Sequence, residues 1–168
     1  MISDSKCHAA TREDLPGIVS IYNQAIIEGG LTADIDTFTT SEKIDWFYSH
    51  DPAVHPLFVF REGTELAGWL SVSPYRPGRR ALRFTVEVSC YIGADFRQRR
   101  IGSLLLTHSV EWCKNAGYRR IFAVVLDTNT PSLNFFRKHG FVDWGHLPGV
   151  AEFEETGICG QCYLGLSL

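Results

Sequence analysis

The chain of 168 residues contains no apolar run near the roughly 18 residues that a membrane-spanning helix requires. Its start lacks the charged segment and apolar stretch of a secretory signal, so export is not expected. It lacks a basic balance as well: the formal net charge is -3, which argues against general nucleic-acid binding. The five cysteines, Cys7, Cys90, Cys113, Cys159 and Cys162, are odd in number and have no framework spacing, a pattern of reduced thiols in a cytoplasmic setting. Cys159-Gly-Gln-Cys162 has the C-x-x-C form, but zinc needs four ligands and no second pair is visible. Nor does the motif open a helix, as thioredoxin-like chemistry requires, so it reads as structural. The six histidines show no ligand spacing, and no metal is expected. No repeat, low-complexity tract or linker divides the chain. A single domain over residues 1–168 is expected, long enough for a true core.

What is present is an ordinary globular composition, 45% hydrophobic and 21% charged, with unevenly placed charge. Arg76, Arg79, Arg80, Arg83, Arg97, Arg99 and Arg100 all fall between positions 76 and 100. A local basic patch on an acidic protein fits a small anionic ligand better than a polyanion.

Periodicity predicts the elements. Residues 7 to 10 read as a short strand. Thr11 precedes Asp14 by three, a capping-box-like start, and Leu15, Ile18, Val19, Tyr22 and Ile26 follow at helical spacing. Glu28-Gly-Gly ends that helix, and Ser41 opens a second one that stops near His50-Asp-Pro. Strands are predicted over Leu57 to Phe60, Leu66 to Val72 and Arg83 to Ile92. A helix from Gly102 to Ala116 precedes an apolar strand, Ile121 to Leu126, of the kind buried on both faces. Thr130 and Pro131 read as N-cap and first residue of a short helix ending at Gly140. Two strands around a Gly/Glu turn complete a mixed α/β sandwich with a central sheet.

The run from Glu87 to Ser103 carries the strongest chemical signal. An alternating strand holds one acid, Glu87, and passes through a basic turn into a helix. The first N–H groups of a helix have no intrahelical partner, and its dipole makes that end positive, so a pyrophosphate fits there. Taken alone, the segment reads equally as a solvated basic turn, and Glu87 as a surface or salt-bridged glutamate.

In order along the chain stand Arg97-x-x-Arg100-x-Gly102, an apolar helix, an apolar strand, Asn129-Thr-Pro-Ser132, and Phe135-Phe136-Arg-Lys-His-Gly140-Phe141. This series resembles the GNAT superfamily of acetyl-CoA-dependent N-acetyltransferases. Ile21-Tyr-Asn-Gln-Ala25, Thr85-Val-Glu-Val-Ser89 and Leu147-Pro-Gly-Val150 are similar to its phosphinothricin and methionine-sulfoximine acetyltransferase branch.

The resemblance implies the GNAT fold, α/β (α+β) with a mixed, mostly antiparallel central sheet flanked by helices. It implies acetyl-CoA as co-substrate. Backbone groups of Cys90, Tyr91 and Ile92 would run beside the pantetheine arm, and an amide near Tyr91 or Ile92 would stabilise the oxyanion of acetyl transfer. Amides of Gln98, Arg99, Arg100, Ile101, Gly102 and Ser103 would hold the pyrophosphate, and Asn129 would reach the pantetheine region. Glu87 would take the proton that the incoming ammonium must lose before it attacks. Arg76, Arg80 and Arg83 would meet the carboxylate of an amino-acid-like substrate, Arg83 foremost because it stands four residues before Glu87. Thr32 and Ala33, in the loop from Gly29 to Asp36, would form the opposite wall. A homodimer is implied, with the terminal strands as candidate contact surfaces.

Two positions depart from the pattern. Arg100 stands where the family has its first motif glycine, costly if the turn needs a positive φ there. Phe136 stands where many GNAT enzymes carry a tyrosine, or the phosphinothricin enzymes a histidine, as proton donor. A coenzyme A thiolate is a fair leaving group, since thiol pKa values lie near about 8.5, so the reaction type survives the loss. The reading is a small-molecule N-acetyltransferase working by direct attack. Its alternatives are an enzyme acting on protein amines and an acetyl-CoA-binding domain with little catalysis.

Overall fold

The computed structural model describes residues 6–168, and its elements follow the order expected from the sequence. They are β1 (Cys7–Ala9), α1 (Leu15–Glu28), α2 (Ile44–Tyr48), β2 (Leu57–Glu62), β3 (Glu65–Pro74), β4 (Thr85–Ile92), α3 (Ile101–Asn115), β5 (Arg120–Leu126), α4 (Thr130–Lys138), β6 (Val142–Phe153) and β7 (Gly157–Ser167). The strands form one sheet in the order β1-β2-β3-β4-β5-β7-β6. Every neighbouring pair is antiparallel except β4 and β5. No helix among the described residues is long and apolar enough to cross a membrane.

Helices cover both faces of the sheet because strand side chains alternate between them. On one face Leu15, Ile18 and Val19 of α1 and Phe47 of α2 pack on Leu57, Val59 and Trp69. On the other, Ile101, Leu105 and Leu106 of α3 pack on Phe58, Leu70, Val72, Val86 and Val88. The capping-box prediction holds: Thr11 N–H donates to the Asp14 carboxylate at 2.8 Å. The same buried carboxylate is paired with Arg61 of β2, which ties the start of α1 to the sheet.

Two of the boundaries that differ from expectation bear on the site. The third predicted strand was to begin at Arg83, but Arg80–Leu82 forms a 3-10 turn and β4 begins at Thr85. Leu82 N–H donates to Arg79 C=O at 2.9 Å and Arg83 N–H to Arg80 C=O at 3.3 Å, so the backbone closes a local turn before it can join the ladder. The cap of α4 is Asn129, not Thr130. Its Oδ1 accepts from Ser132 N–H at 3.2 Å, and Thr130 becomes the first helical residue.

One topological feature positions the site. β4 pairs with β5 only from Thr85 to Glu87, opposite Arg120 to Phe122. Beyond Glu87 the two strands part. β5 continues paired to β7 as far as Leu126, while β4 runs on to Ile92 with its β5-facing edge unpaired. Unpaired strand edges are templates for an added strand, because their N–H and C=O groups need partners.

Candidate active site

The parting of β4 and β5 opens a cleft of about 500 Å³. Val88 to Ile92 line one wall and Val124 and Val125 the other. The N-terminal turn of α3 (Ile101, Gly102, Ser103) and the start of α4 (Asn129, Pro131, Ser132) close it. The predicted positions Cys90, Tyr91, Ile92, Gln98, Arg100, Ile101, Gly102, Ser103 and Asn129 are all brought to this one cleft. Arg99 is not. Its guanidinium leaves for Glu62 at 3.0 Å and lies over the Phe96 ring.

The turn into α3 is built to present amides. Gln98 and Arg100 both have left-handed backbones, with φ of 61° and 64°. Arg100 therefore adopts the conformation that the glycine of the motif would take without strain. The first intrahelical bond is Leu104 N–H to Arg100 C=O at 3.0 Å, which leaves the N–H groups of 101 to 103 without helical partners. Charge is also sorted here. Arg97 makes a two-armed pair with Glu28 at 3.0 and 2.5 Å. The Arg100 guanidinium has no acidic partner among the described residues, so a free cation stands at the cleft wall. Gly102 abuts the Phe135 ring: a Cβ there would lie 3.4 Å from Phe135 Cε2. A pyrophosphate-bearing chain with amide groups fits these residues, since orphan N–H donors, a cation and an unpaired strand edge occupy one cleft.

Glu87 lies on the opposite strand face from Val86 and Val88, in line with Ser89 and Tyr91. Burial raises its carboxyl above the ordinary carboxylate range, and no hydrogen bond or ion pair to it exists among the described residues. It forms the wall of no described cavity. Two residues on, Ser89 borders both the cleft and a second cavity of about 130 Å³ on the α1/α2 face. That second cavity joins Trp46, Trp69, Tyr22 and Tyr91 with Lys43 and the hydroxyls of Ser71, Ser73 and Ser89. The sequence reading missed it. The signal was an alternation, Trp69-x-Ser71-x-Ser73, which the register sets directly opposite Tyr91, Ser89 and Glu87.

The residues expected on the substrate side scatter more. Thr32 Oγ1 is taken up by the Tyr22 hydroxyl at 2.9 Å and holds its loop to α1. Ala33 is exposed and borders neither cavity. Arg76, Arg80 and Arg83 are exposed on the β3–β4 connection and line neither cavity. Arg83 lies outside the strand. Its guanidinium covers the Phe84 ring and donates to Arg80 C=O at 3.0 Å, so its spacing from Glu87 does not carry it along the strand face.

Two side chains in the cleft limit its chemistry. Phe136 is buried against Phe135 and Phe141 and offers no proton. Burial pushes the Cys90 thiol up to about 12, so at neutral pH it is protonated and a poor nucleophile. Cys159 and Cys162 lie three positions apart on β7, so the pleat sends them to opposite faces of the sheet.

A family model for the acetyltransferase (GNAT) family matches residues 18–141, which take in the cleft and both helices that close it. The chain belongs to the GNAT family. Among its relatives is a Bacillus subtilis protein provisionally named as a phosphinothricin acetyltransferase, 38% identical over 146 residues, covering 86% of this chain and 88% of the relative. An L-methionine sulfoximine/L-methionine sulfone acetyltransferase of Pseudomonas aeruginosa is 30% identical over 142 residues, covering 83% and 81%. Among solved structures, a GNAT superfamily phosphinothricin acetyltransferase of Sinorhizobium meliloti, in complex with AcCoA, superposes with a TM-score of 0.89 at 25% identity, over 96% of this chain and 87% of that one. The seven-stranded, mostly antiparallel sheet flanked by helices is the GNAT fold expected from the motif order.

Proposed function

We propose that this GNAT enzyme moves an acetyl group from acetyl-CoA to the primary amine of a small amino-acid-like substrate. The observation that carries the reading is the junction at Ser89, where the cofactor-sized cleft and the aromatic pocket meet two residues from an unpartnered carboxylate. Acetyl-CoA supplies the activated thioester. Orphan amides at 101 to 103 and the Arg100 guanidinium hold its phosphates, and the free edge of β4 at Cys90, Tyr91 and Ile92 aligns its arm. Glu87 takes the ammonium proton, a role that suits a carboxylate raised by burial and free of competing donors. Phe136 gives no proton, so water completes the leaving thiol. Attack is direct, since the Cys90 thiol is neutral.

Arg76 and Arg80, on the turn that follows β3, serve as rim cations for the substrate α-carboxylate. The names of the relatives, which act on phosphinothricin and on methionine sulfoximine or sulfone, support the substrate class. The second subunit of a homodimer covers the β6–β7 hairpin, whose Val142, Trp144, Leu147, Val150 and Ile158 are exposed. The free thiols of Cys90, Cys113, Cys159 and Cys162 suit the cytoplasm.

The test is coenzyme A release across free amino acids, methionine sulfone, methionine sulfoximine, phosphinothricin and an N-terminal peptide. Turnover of the small amines above the peptide is expected. Acetyl-CoA binding with no turnover of any amine overturns the reading in favour of a binding domain.

A further inference from the structure

Trp69 is 2% exposed, and its Nε1–H is the one buried side-chain donor among the described residues that has no hydrogen-bond acceptor. A buried donor without a partner is costly unless a ligand or water satisfies it. Of the two cavities described, Trp69 lines only the smaller.

The rest of that pocket has matching chemistry. Lys43 has no carboxylate partner among the described residues. Its Nζ sits 3.6 Å from the centroid of Phe38, 5.2 Å from that of Tyr22 and 5.6 Å from that of Trp46. Ring faces hold the cation in place but leave its N–H donors without a strong acceptor. One wall is aromatic and continuous: the Trp69 ring packs edge-on against Trp46, with centroids 5.8 Å apart, and lies tilted against Tyr91 at 4.9 Å. Trp69 Nε1–H and Lys43 are its donor-only groups, beside hydroxyls that can also accept, and no carboxylate lines the pocket.

We infer that this pocket is a side-chain subsite that reads an acceptor oxygen, of the sulfone, phosphinate or carboxylate type, through Trp69 Nε1–H and Lys43. This rests on the amine-acetylation reading and assigns the substrate's two ends. The α-amine and carboxylate face Glu87 and the rim arginines, while the side chain lies against the Trp46 and Trp69 rings and ends on the two donors. A thioether or alkyl side chain of equal length fills the aromatic part and leaves the Trp69 donor unsatisfied. Discrimination against it is therefore built in, because the loss falls on buried groups.

The matched probes are L-methionine sulfone and L-methionine, which differ only in the sulfone oxygens. In protein with 15N-labelled tryptophan and no acetyl-CoA, methionine sulfone is expected to shift the Trp69 indole resonance, assigned with W69F, and methionine is not. In the acetylation assay, W69F is expected to raise KM for the sulfone relative to KM for methionine about three- to tenfold, and K43M about tenfold. Turnover of the sulfone with an unmoved indole resonance overturns the subsite and leaves the acetylation reading intact. A shifted resonance with no turnover of any amine supports the subsite and overturns the acetylation reading. Equal shifts with both probes overturn oxygen recognition.

Discussion

Ser73 and Glu87 stand directly opposite each other across the β3–β4 ladder, and Ser73 has already spent its proton. His50 Nδ1 lies 2.9 Å from Trp46 C=O, which can only accept, so that nitrogen carries the hydrogen. Burial lowers the His50 pKa, so the ring is neutral and Nε2 accepts from the Ser73 hydroxyl at 3.2 Å. The serine nearest Glu87 in register therefore cannot donate to it. The carboxylate keeps the basicity that burial confers.

E87Q is expected to lower kcat/KM for amine acetylation by about 100- to 10,000-fold, the range for a lost general base. Wild-type activity should fall on acidification through the Glu87 pKa, with a limb above the ordinary carboxylate value of about 4.3. The sign for stability is opposite. A carboxyl raised on folding favours the fold below its unfolded pKa, and that contribution is lost as pH rises through the folded value. At pH 7 the wild type carries this cost and E87Q does not, so the variant should melt no lower. An E87Q enzyme with unchanged kcat/KM removes Glu87 from this role.

R100G tests the left-handed turn. The strained φ of 64° is relieved, while glycine adds unfolded-state entropy. The net expectation is a gain below about 1 kcal/mol by denaturant unfolding. Because the amide survives and the guanidinium does not, acetyl-CoA binding should weaken and become less salt-dependent. A stability loss above 1 kcal/mol would show that the side chain, not the backbone, matters there.

N129A removes the cap of α4 and orphans Ser132 N–H. A loss of about 0.5–2 kcal/mol is expected in thermal or denaturant unfolding. N129D, which keeps the acceptor, should recover most of it. Equal losses in both variants would argue that the amide group of Asn129 has a partner beyond the cap.

C90A separates direct attack from a covalent acetyl-cysteine. The buried thiol is neutral at pH 7 and its proposed use is through the backbone. The variant should retain kcat within a few-fold, and initial-rate plots against both substrates should intersect. Parallel lines, with C90A inactive, would establish the covalent route.

Much of the β4–α3 cleft was legible in the chain because it is written in local backbone terms. A helix N-terminus, a turn and a strand edge follow from neighbours in sequence, and Gln98 to Ser103 met Cys90 to Ile92 as expected, save that Arg99 turned away to Glu62. The residues expected to meet the substrate were less legible. Counting four residues from Glu87 pointed to Arg83, but a 3-10 turn ends the strand at Thr85 and sends that guanidinium onto Phe84.

Periodicity and motif order determined the element order, the fold class and the family of this protein, since each depends on residues within a turn or a strand of one another. Only the tertiary structure decided that β4 leaves β5 after Glu87 and that Ser89 borders two cavities at once. It alone decided that Lys43 of the α2 entry, Trp69 of β3 and Tyr91 of β4 share one pocket. Those contacts join residues far apart in the chain, and strand register and helix packing set them, not local propensity.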